Sequence, residues 1–208
     1  SELHKYHNIN KYFVYGDKSK EYLLKLGLKS KLIEVSGAPY LDKVPAKDNQ
    51  INEVFINELS LNNNYPYALI LLSGDGESIS FDHHLKTIKY LKQLSLDFPH
   101  IQFVVKLHRK DNIDYYSRGI NDHNLKIVEN SPNLPKNIFQ WFNGCSVVIT
   151  GASTAGNEAL LMGIPVITMD YNAEISEVDF IKSKVSLHVT EYQGLKIAVD
   201  QVINENIK

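Results

Sequence analysis

The chain is poor in several features that mark large classes of protein. It has one cysteine, Cys145, among 208 residues, which excludes an internal disulfide and a multi-cysteine zinc site. No apolar run approaches the roughly 18 residues that a membrane span needs, and the polar start SELHKYHNIN lacks the apolar core of a signal peptide. We therefore expect a cytoplasmic protein without a transmembrane segment.

An excess of positive charge and the commonest nucleotide motifs are lacking too. The 22 Lys and Arg residues are outnumbered by 24 Asp and Glu residues, whereas proteins that bind nucleic-acid backbones generally carry a basic excess. Neither G-x-G-x-x-G nor G-x-x-x-x-G-K-[ST] occurs. The chain therefore lacks the phosphate-binding loops that define NAD-type Rossmann enzymes and P-loop NTPases. No nucleic-acid partner is expected.

The chain does contain a regular alternation of short apolar runs and segments of helical periodicity. The runs are mostly continuous, as in strands that are covered on both faces. They predict strands at 12–15, 32–35, 67–72, 101–105, 125–128, 147–150 and 165–168. The periodic segments predict helices at 18–26, 81–96, 137–144, 154–162 and 195–204, with Gly27 and Gly163 as C-terminal stops. The alternation predicts an α/β fold with a doubly wound, Rossmann-like parallel sheet.

A polar stretch divides this pattern into two unequal parts. Residues 46–65, which include AKDNQ and LNNNY, have the composition of a linker. Residues 1–45 hold about two strands and one helix, too little for a core of their own, so they are predicted to be a short remnant of a second domain. Residues 66–208 hold the remaining strands and helices and are predicted to form the main domain.

In open α/β sheets, ligands bind beyond the carboxyl ends of the strands, and the most informative loop there is GASTAGNE at 151–158. Small residues let a ligand approach the backbone closely. Ser153 and Thr154 offer hydroxyls at a helix start, where unpaired N–H groups favour a phosphate, and Glu158 is placed to accept hydrogen bonds from a ribose diol. The structural alternative is that Ser153 only caps the helix and Glu158 only faces solvent.

A second loop places Lys106 and His108 at the end of the strand IQFVV. A cation and an imidazole at this position suit a pyrophosphate or a leaving phosphate. A lone histidine at a strand end is more often structural, but the serine loop at a nearby strand end favours a shared anion site.

Other candidates carry weaker signals. Ser73 and Gly74 begin SGDGES, which has the glycines of a phosphate-cradling turn, yet its Asp and Glu would repel phosphate, so an ordinary turn is the alternative. His83 and His84 are expected to be solvated, without the carboxylate or cysteine neighbours of a metal site. Trp141 is expected to lie in the core. No metal is predicted.

At this point the residues resemble the C-terminal, donor-binding half of GT-B glycosyltransferases, particularly bacterial enzymes that build surface polysaccharides such as capsule. Three stretches carry the resemblance: a G-x-P-x-x-D element at Gly37, Pro39 and Asp42, a K-x-H strand end in IQFVVKLHRKD, and VVITGASTAGNEALLMGIPVITMD. The resemblance implies that residues 1–45 are the end of the acceptor domain and that residues 66–208 bind a nucleotide-activated donor. It also implies a metal-independent transferase that needs no cofactor, with a CMP-, CDP- or UDP-linked donor as substrate.

By the same resemblance, His108 and Lys106 would be catalytic, and Ser153, Thr154, Glu158, Arg109, Ser73 and Gly74 would bind the donor. Arg109 stands where the family usually has proline. A carbohydrate or lipid-linked acceptor would bind through the missing domain, so this chain alone is expected to be inactive. Peripheral association with the inner membrane face is left open.

Two alternatives to the transferase remain. One is a nucleotide-binding module without turnover. The other is a UDP-N-acetylglucosamine 2-epimerase-like enzyme, which shares the architecture. In those epimerases Ser-Gly-Gly is followed by paired glutamates, whereas this chain has Ala152-Ser153-Thr154 and then Asn157-Glu158, and this difference favours the transferase.

Overall fold

The computed structural model divides the chain into two compact units, Ser1–Val44 and Pro45–Lys208. No helix in the described part of the chain is both long enough and apolar enough to cross a membrane. The residues described are 9–72, 80–108, 111, 114, 116, 123–129, 131–151, 153–173, 181 and 183–206.

The first unit holds a two-stranded parallel sheet and one helix. Strand β1 (Tyr12–Val14) pairs with β2 (Ile33–Val35), and helix α1 (Asp17–Lys25) connects them. Val14 and Ile33 are the buried members of the two strands, so the apolar centre of this unit is small.

The second unit is built on a sheet of six parallel strands. These are β3 (Tyr67–Leu71), β4 (Gln102–Lys106), β5 (Leu125–Val128), β6 (Cys145–Thr150), β7 (Val166–Met169) and β8 (Leu187–Val189). The helices are α2 (Glu53–Leu59), α3 (Phe81–Asp97), α4 (Ile138–Phe142), α5 (Ala155–Leu161) and α6 (Tyr192–Asn206).

The order of the strands in this sheet is β5-β4-β3-β6-β7-β8. The chain therefore winds outwards from β3 in one direction and from β6 in the other, which is the doubly wound topology of Rossmann-like folds. Helices α3 and α6 cover one face, where their apolar residues join Ile70 and Val105 in the main core. On the other face, Phe55 of α2 contacts Tyr67 of β3 and Trp141 of α4. The predicted fold class is confirmed.

All seven predicted strands occur, with bounds that differ by at most two residues, whereas β8 was not predicted. Apolar and polar residues alternate in its segment, VSLHV, so this edge strand lacks the continuous apolar run by which the others are recognised. Gly163 ends α5 as expected: its φ is +73°, and Ile164 N donates to Ala159 O at 3.0 Å, a C-terminal capping bond that uses the left-handed residue.

Residues 46–65 contain a helix, α2, rather than polar chain alone. Asn52 caps it by accepting a hydrogen bond from Val54 N at 2.9 Å, and Phe55 is fully buried. The structure places this segment within the second unit. The predicted boundaries at 45 and 66, and the origin of the first unit in another domain, stay predictions.

Candidate functional site

The carboxyl ends of the central strands lie level with one another. Strand pairing sets Leu71 of β3 opposite both Lys106 of β4 and Thr150 of β6. The chain leaves β3 and β6 in opposite directions, and in such sheets the crevice between the two diverging connections is where ligands bind. The loop after β6 and the end of β4 flank β3 on its two sides, so the topology brings both sets of predicted phosphate ligands to the same edge.

In the loop after β6, the hydroxyls of Ser153 and Thr154 have different surroundings. Ser153 Oγ accepts a hydrogen bond from Ala155 N at 3.3 Å, which makes it a capping residue of α5, and its side chain is half-buried. Thr154 is exposed and its side chain makes no capping bond. Because α5 has only seven residues, we regard the two hydroxyls and the loop backbone, rather than a helix dipole, as the groups offered to an anion.

Glu158 lies in the first turn of α5 and is half-buried. Burial raises the pKa of its carboxyl group above the usual 4.5, because water solvates the charged form better than the protein does. A carboxylate with part of its water removed accepts hydrogen bonds from ligand hydroxyls at a lower desolvation cost than a fully hydrated one. The position suits a diol near the loop.

Lys106 is the last residue of β4, the strand on the other side of β3, and His108 lies two residues later. Lys106 is half-buried, and burial lowers the pKa of its ammonium group. Its Nζ lies 5.4 Å from the centroid of the Trp141 ring, within range of a cation–π contact. His108 is half-buried, and its backbone N–H donates to Asp111 Oδ2 at 2.7 Å. The turn that carries His108 is therefore tied to a carboxylate.

A pocket of about 360 Å³ opens in the loop after β5, and the Trp141 ring that Lys106 contacts is part of its lining. Trp141 forms one wall and also fastens the loop, since its Nε1 donates to Pro135 O at 2.8 Å. Helix α4, which carries Trp141, packs against α5. Trp141 is buried, as the sequence predicts for a residue of the core or of a helix–sheet contact. Its place in a pocket wall was not predicted, although two prolines in a polar stretch after a strand were a usable signal. The lining residues are Ser131, Pro132, Leu134, Pro135, Lys136 and Trp141.

The prediction that His83 and His84 are solvated is wrong, because both side chains are buried. His83 stacks on Tyr171 with ring centroids 5.0 Å apart, and its Nε2 lies 3.3 Å from Met169 O. His84 Nδ1 lies 3.1 Å from Tyr116 Oη. Aromatic partners from other segments cover both rings, which the helical pattern of α3 alone does not reveal.

The loop after β7 is held to its neighbours by polar contacts. Asp170 is fully buried and its Oδ2 lies 3.2 Å from His188 Nε2. Asn172 Nδ2 donates to Ser80 Oγ at 3.1 Å, and Asn172 Oδ1 accepts from Lys86 Nζ at 2.6 Å. This loop therefore fixes the beginning of α3 against the end of β7.

Three predicted ligand-binding residues, Ser73, Gly74 and Arg109, lie outside the described residues. Within the described ranges, no group of three or more His, Cys, Asp or Glu side chains is arranged to hold a metal ion. The catalytic and binding roles of the eight residues named from the sequence stay predictions.

Comparison with known proteins shows the family of this chain. The model of the family "UDP-N-acetylglucosamine 2-epimerase" matches residues 9–206. No curated protein sequence matches the chain.

Solved structures of similar fold include UDP-GlcNAc 2-epimerases. One is the UDP-GlcNAc 2-epimerase of Methanocaldococcus jannaschii in complex with UDP-GlcNAc and UDP, with 16% identity, a TM-score of 0.66, and coverage of 94% of this chain and 54% of that one. Another is the enzyme of Neisseria meningitidis bound to UDP-GlcNAc, with 18% identity, a TM-score of 0.65, and coverage of 94% and 53%. At such identities the likeness shows the fold, a GT-B-type half, and the chain spans about half the length of these structures.

The prediction of a glycosyltransferase is wrong, because the family match points to an epimerase instead. The reason lies in the roles that were predicted for the site residues. A cation, an imidazole, hydroxyls at a helix start and a carboxylate for a diol are all groups expected to bind a nucleotide, and a nucleotide is common to both kinds of enzyme. The replacement of paired glutamates by Asn157-Glu158 was given too much weight against the epimerase alternative.

Proposed function

The chain belongs to the UDP-N-acetylglucosamine 2-epimerase family, and we propose that it supplies the nucleotide-binding half of an enzyme that inverts C2 of a UDP-linked N-acetylhexosamine. The observation that carries this proposal is that two sets of phosphate-type ligands lie at one edge of the sheet, and that one of them contacts the wall of a pocket. A half-buried cation, Lys106, ends β4, an imidazole follows it, and a hydroxyl-bearing loop follows β6. Lys106 Nζ lies 5.4 Å from the centroid of the Trp141 ring, which lines the pocket after β5.

We assign the diphosphate to the groups that flank β3. Lys106 provides the positive charge. Because its ammonium group is partly buried and has lost some of its water, a bound phosphate stabilises the charged form more than it would at a fully exposed lysine. His108, Ser153 and Thr154 provide further hydrogen-bond donors. With these groups in place, the nucleotide sugar is the substrate, and the proposal requires no further cofactor.

The nucleoside is assigned to the pocket and to α5. The pocket volume of about 360 Å³ accommodates a pyrimidine base, and such ligand pockets commonly combine an apolar wall with a few polar groups. Helix α4, which carries Trp141, packs against α5, which carries Glu158. A ribose between them presents its diol to the Glu158 carboxylate.

Inversion at C2 requires one proton to leave one face of the sugar ring and another to arrive at the opposite face. Such chemistry depends on a sugar that is held in one orientation, and binding energy from the distant nucleotide provides that hold. The chain spans about half the length of the solved relatives, so we expect it to bind UDP by itself and to support epimerisation only together with the half that these relatives add.

We expect UDP to bind the isolated chain, and Trp141 reports the event. It is the single tryptophan in the sequence and lines the proposed base pocket, so its fluorescence should change on titration with UDP. Binding should also raise the melting temperature, by an amount that corresponds to about 2.7 kcal/mol when UDP is at 100 times its Kd.

The controls for this titration are uridine, CDP and a Ser153→Ala/Thr154→Ala variant. Each lost neutral hydrogen bond should cost about 1 kcal/mol of UDP binding, and more where it meets phosphate charge, whereas uridine binding should hardly change. The proposal is wrong if the protein is folded and millimolar UDP changes neither its fluorescence nor its melting temperature. Tighter binding of CDP than of UDP would agree with the assignment of the phosphate ligands but contradict the assignment of a uridine nucleotide as the substrate.

Replacing Glu158 with glutamine is expected to stabilise the fold while it weakens UDP binding. Because burial raises the pKa of Glu158, its charged form is disfavoured in the folded state relative to the unfolded state. At pH 7 the carboxylate therefore lowers stability, and below its unfolded pKa, where both states are protonated, this penalty disappears. Glu158→Gln should raise the melting temperature at pH 7 and give little gain near pH 4.

The same variant loses a charged acceptor for the ribose diol, and hydrogen bonds to charged groups contribute about 1.5–3 kcal/mol. UDP affinity should accordingly fall by about tenfold or more at pH 7. Glu191→Gln, which removes one charge at an exposed position just before α6, is the control: it should leave UDP affinity unchanged and, because a negative charge at a helix N-terminus is stabilising, should not raise the melting temperature. A Glu158→Gln variant of unaltered UDP affinity would show that the carboxylate does not contact the nucleotide.

A further inference from the structure

A chain of hydrogen bonds connects the beginning of α3 to the turn after β4. Tyr116 Oη lies 3.1 Å from His84 Nδ1 and 3.2 Å from Asp111 Oδ1. The other carboxylate oxygen, Asp111 Oδ2, accepts from His108 N at 2.7 Å, and Asp111 N donates to His108 O at 2.9 Å. His84 and Tyr116 are 2% and 4% exposed, so their polar atoms are held in the protein interior.

The chemistry of these groups fixes the direction of the chain. An ionised carboxylate only accepts hydrogen bonds, so Tyr116 donates its single hydroxyl hydrogen to Asp111. The Tyr116 oxygen is then the acceptor of the contact with His84, which requires a hydrogen on His84 Nδ1. His84 Nδ1–H thus donates to Tyr116, Tyr116 donates to Asp111, and Asp111 receives the backbone N–H of His108.

This arrangement is a poor way to stabilise a core. His84 Nε2 is buried and has no hydrogen-bond partner among the residues that the structure describes, and a desolvated polar atom without a partner costs free energy. An apolar side chain in place of His84 would avoid that cost. What the polar chain provides is geometry, since each member has one angle and distance at which its bond forms.

We propose that His84, Tyr116 and Asp111 are positioning residues, which hold the turn after β4 in one conformation and so keep His108 in place for the phosphates of the bound nucleotide. None of the three contacts the ligand in this role. The proposal rests on the function proposed above for its ligand, but the order that it predicts at His108 exists without ligand.

Two near-isosteric replacements of His84 separate positioning from packing. The amide nitrogen of asparagine reaches the position of His Nδ1, whereas that of glutamine reaches the position of Nε2. His84→Asn therefore retains the donor to Tyr116, and His84→Gln removes it. Tyr116→Phe deletes the central oxygen alone and serves as the second test if His84→Gln fails to fold.

The first measurement uses the ligand-free chain. In ¹⁵N-labelled protein, the His108 amide should exchange slowly with solvent in the wild type and in His84→Asn. It should lose at least about tenfold of its protection in Tyr116→Phe and in His84→Gln, because a hydrogen bond that opens more often exposes its N–H in proportion. Equal protection in all four proteins would overturn the inference, whatever UDP does.

The second measurement compares UDP with uridine. Tyr116→Phe and His84→Gln should weaken UDP binding by about tenfold, the size expected when one charge-assisted hydrogen bond to phosphate loses its alignment. The same two variants should bind uridine as the wild type does. His84→Asn should resemble the wild type with both ligands. Equal losses for UDP and uridine, or equal behaviour of the asparagine and glutamine variants, would indicate packing and contradict positioning. If the wild type does not bind UDP, the proposed function is contradicted. The exchange of the His108 amide, measured without ligand, still tests whether the three residues position the turn.

Discussion

Replacing Trp141 with alanine is expected to lower the free energy of unfolding by about 3–5 kcal/mol, the range typical of a buried tryptophan. The side chain is 2% exposed, and its ring centroid lies 4.6 Å from that of Phe55. Its removal leaves a cavity between α2 and α4, takes the ring from beneath Lys106 Nζ, and leaves Pro135 O without its indole donor. Three separate contributions are lost at once.

Thermal or urea unfolding followed by circular dichroism measures this loss, since the variant has no tryptophan fluorescence. For a domain of about 150–250 residues, each kcal/mol moves the melting temperature by about 2–4 °C, so the expected shift is about 6–20 °C. Trp141→Phe keeps a ring in the wall and should cost much less, chiefly the hydrogen bond to Pro135. A Trp141→Ala variant that melts within about 2 °C of the wild type would show that the indole does not support the pocket.

The fold was largely predictable because its central strands are apolar on both faces. Runs such as Tyr67–Leu71 are wholly buried, and a continuous run of this length between helical segments has few other interpretations. The same logic explains the omissions. Strand β8 has only three residues, two of them exposed, and α2 has seven residues within a polar stretch, so neither carries enough of a pattern to be distinguished from loop.

The burial of His83 and His84 shows where local patterns end. Two adjacent residues on a helix point about 100° apart, so an apolar stripe that includes one does not normally include both. Their burial depends on Tyr171 after β7 and on Tyr116 after β4. These contacts are set by tertiary packing, which propensity and periodicity within α3 do not contain.

From the sequence, the candidate site can be given a predicted ligand, a nucleotide, but not a reaction, and the roles of its residues stay predictions. Lys106, His108 and Ser153 are recognisable because their residue types and their positions at strand ends both suit phosphate. The groups that suit phosphate are the same whether the sugar is transferred or epimerised. The residues that distinguish the two reactions act on the sugar, and no feature of the strand-end loops identifies them.

Gly144 joins α4 to β6 and is expected to tolerate an alanine poorly. Its φ is +67°, a conformation that costs a residue with a Cβ about 1–2 kcal/mol. A Cβ there would also lie 2.5 Å from Ile51 N and 2.7 Å from Ile51 Cα, so backbone must move. That movement would break the bond from Gly144 N to Asp48 O, which measures 2.8 Å.

Gly163 provides a matched control for this site. Its φ of +73° is nearly the same, but nothing lies within 4 Å of the position that its Cβ would take. Gly163→Ala should therefore cost only the conformational contribution, about 1–2 kcal/mol, whereas Gly144→Ala should cost that and a further 1–3 kcal/mol or so for overpacking. Urea unfolding of the two variants followed by Trp141 fluorescence measures the difference. Equal losses would mean that the segment around Ile51 yields freely, as a linker would, and that its contact with the start of β6 does not stabilise the unit.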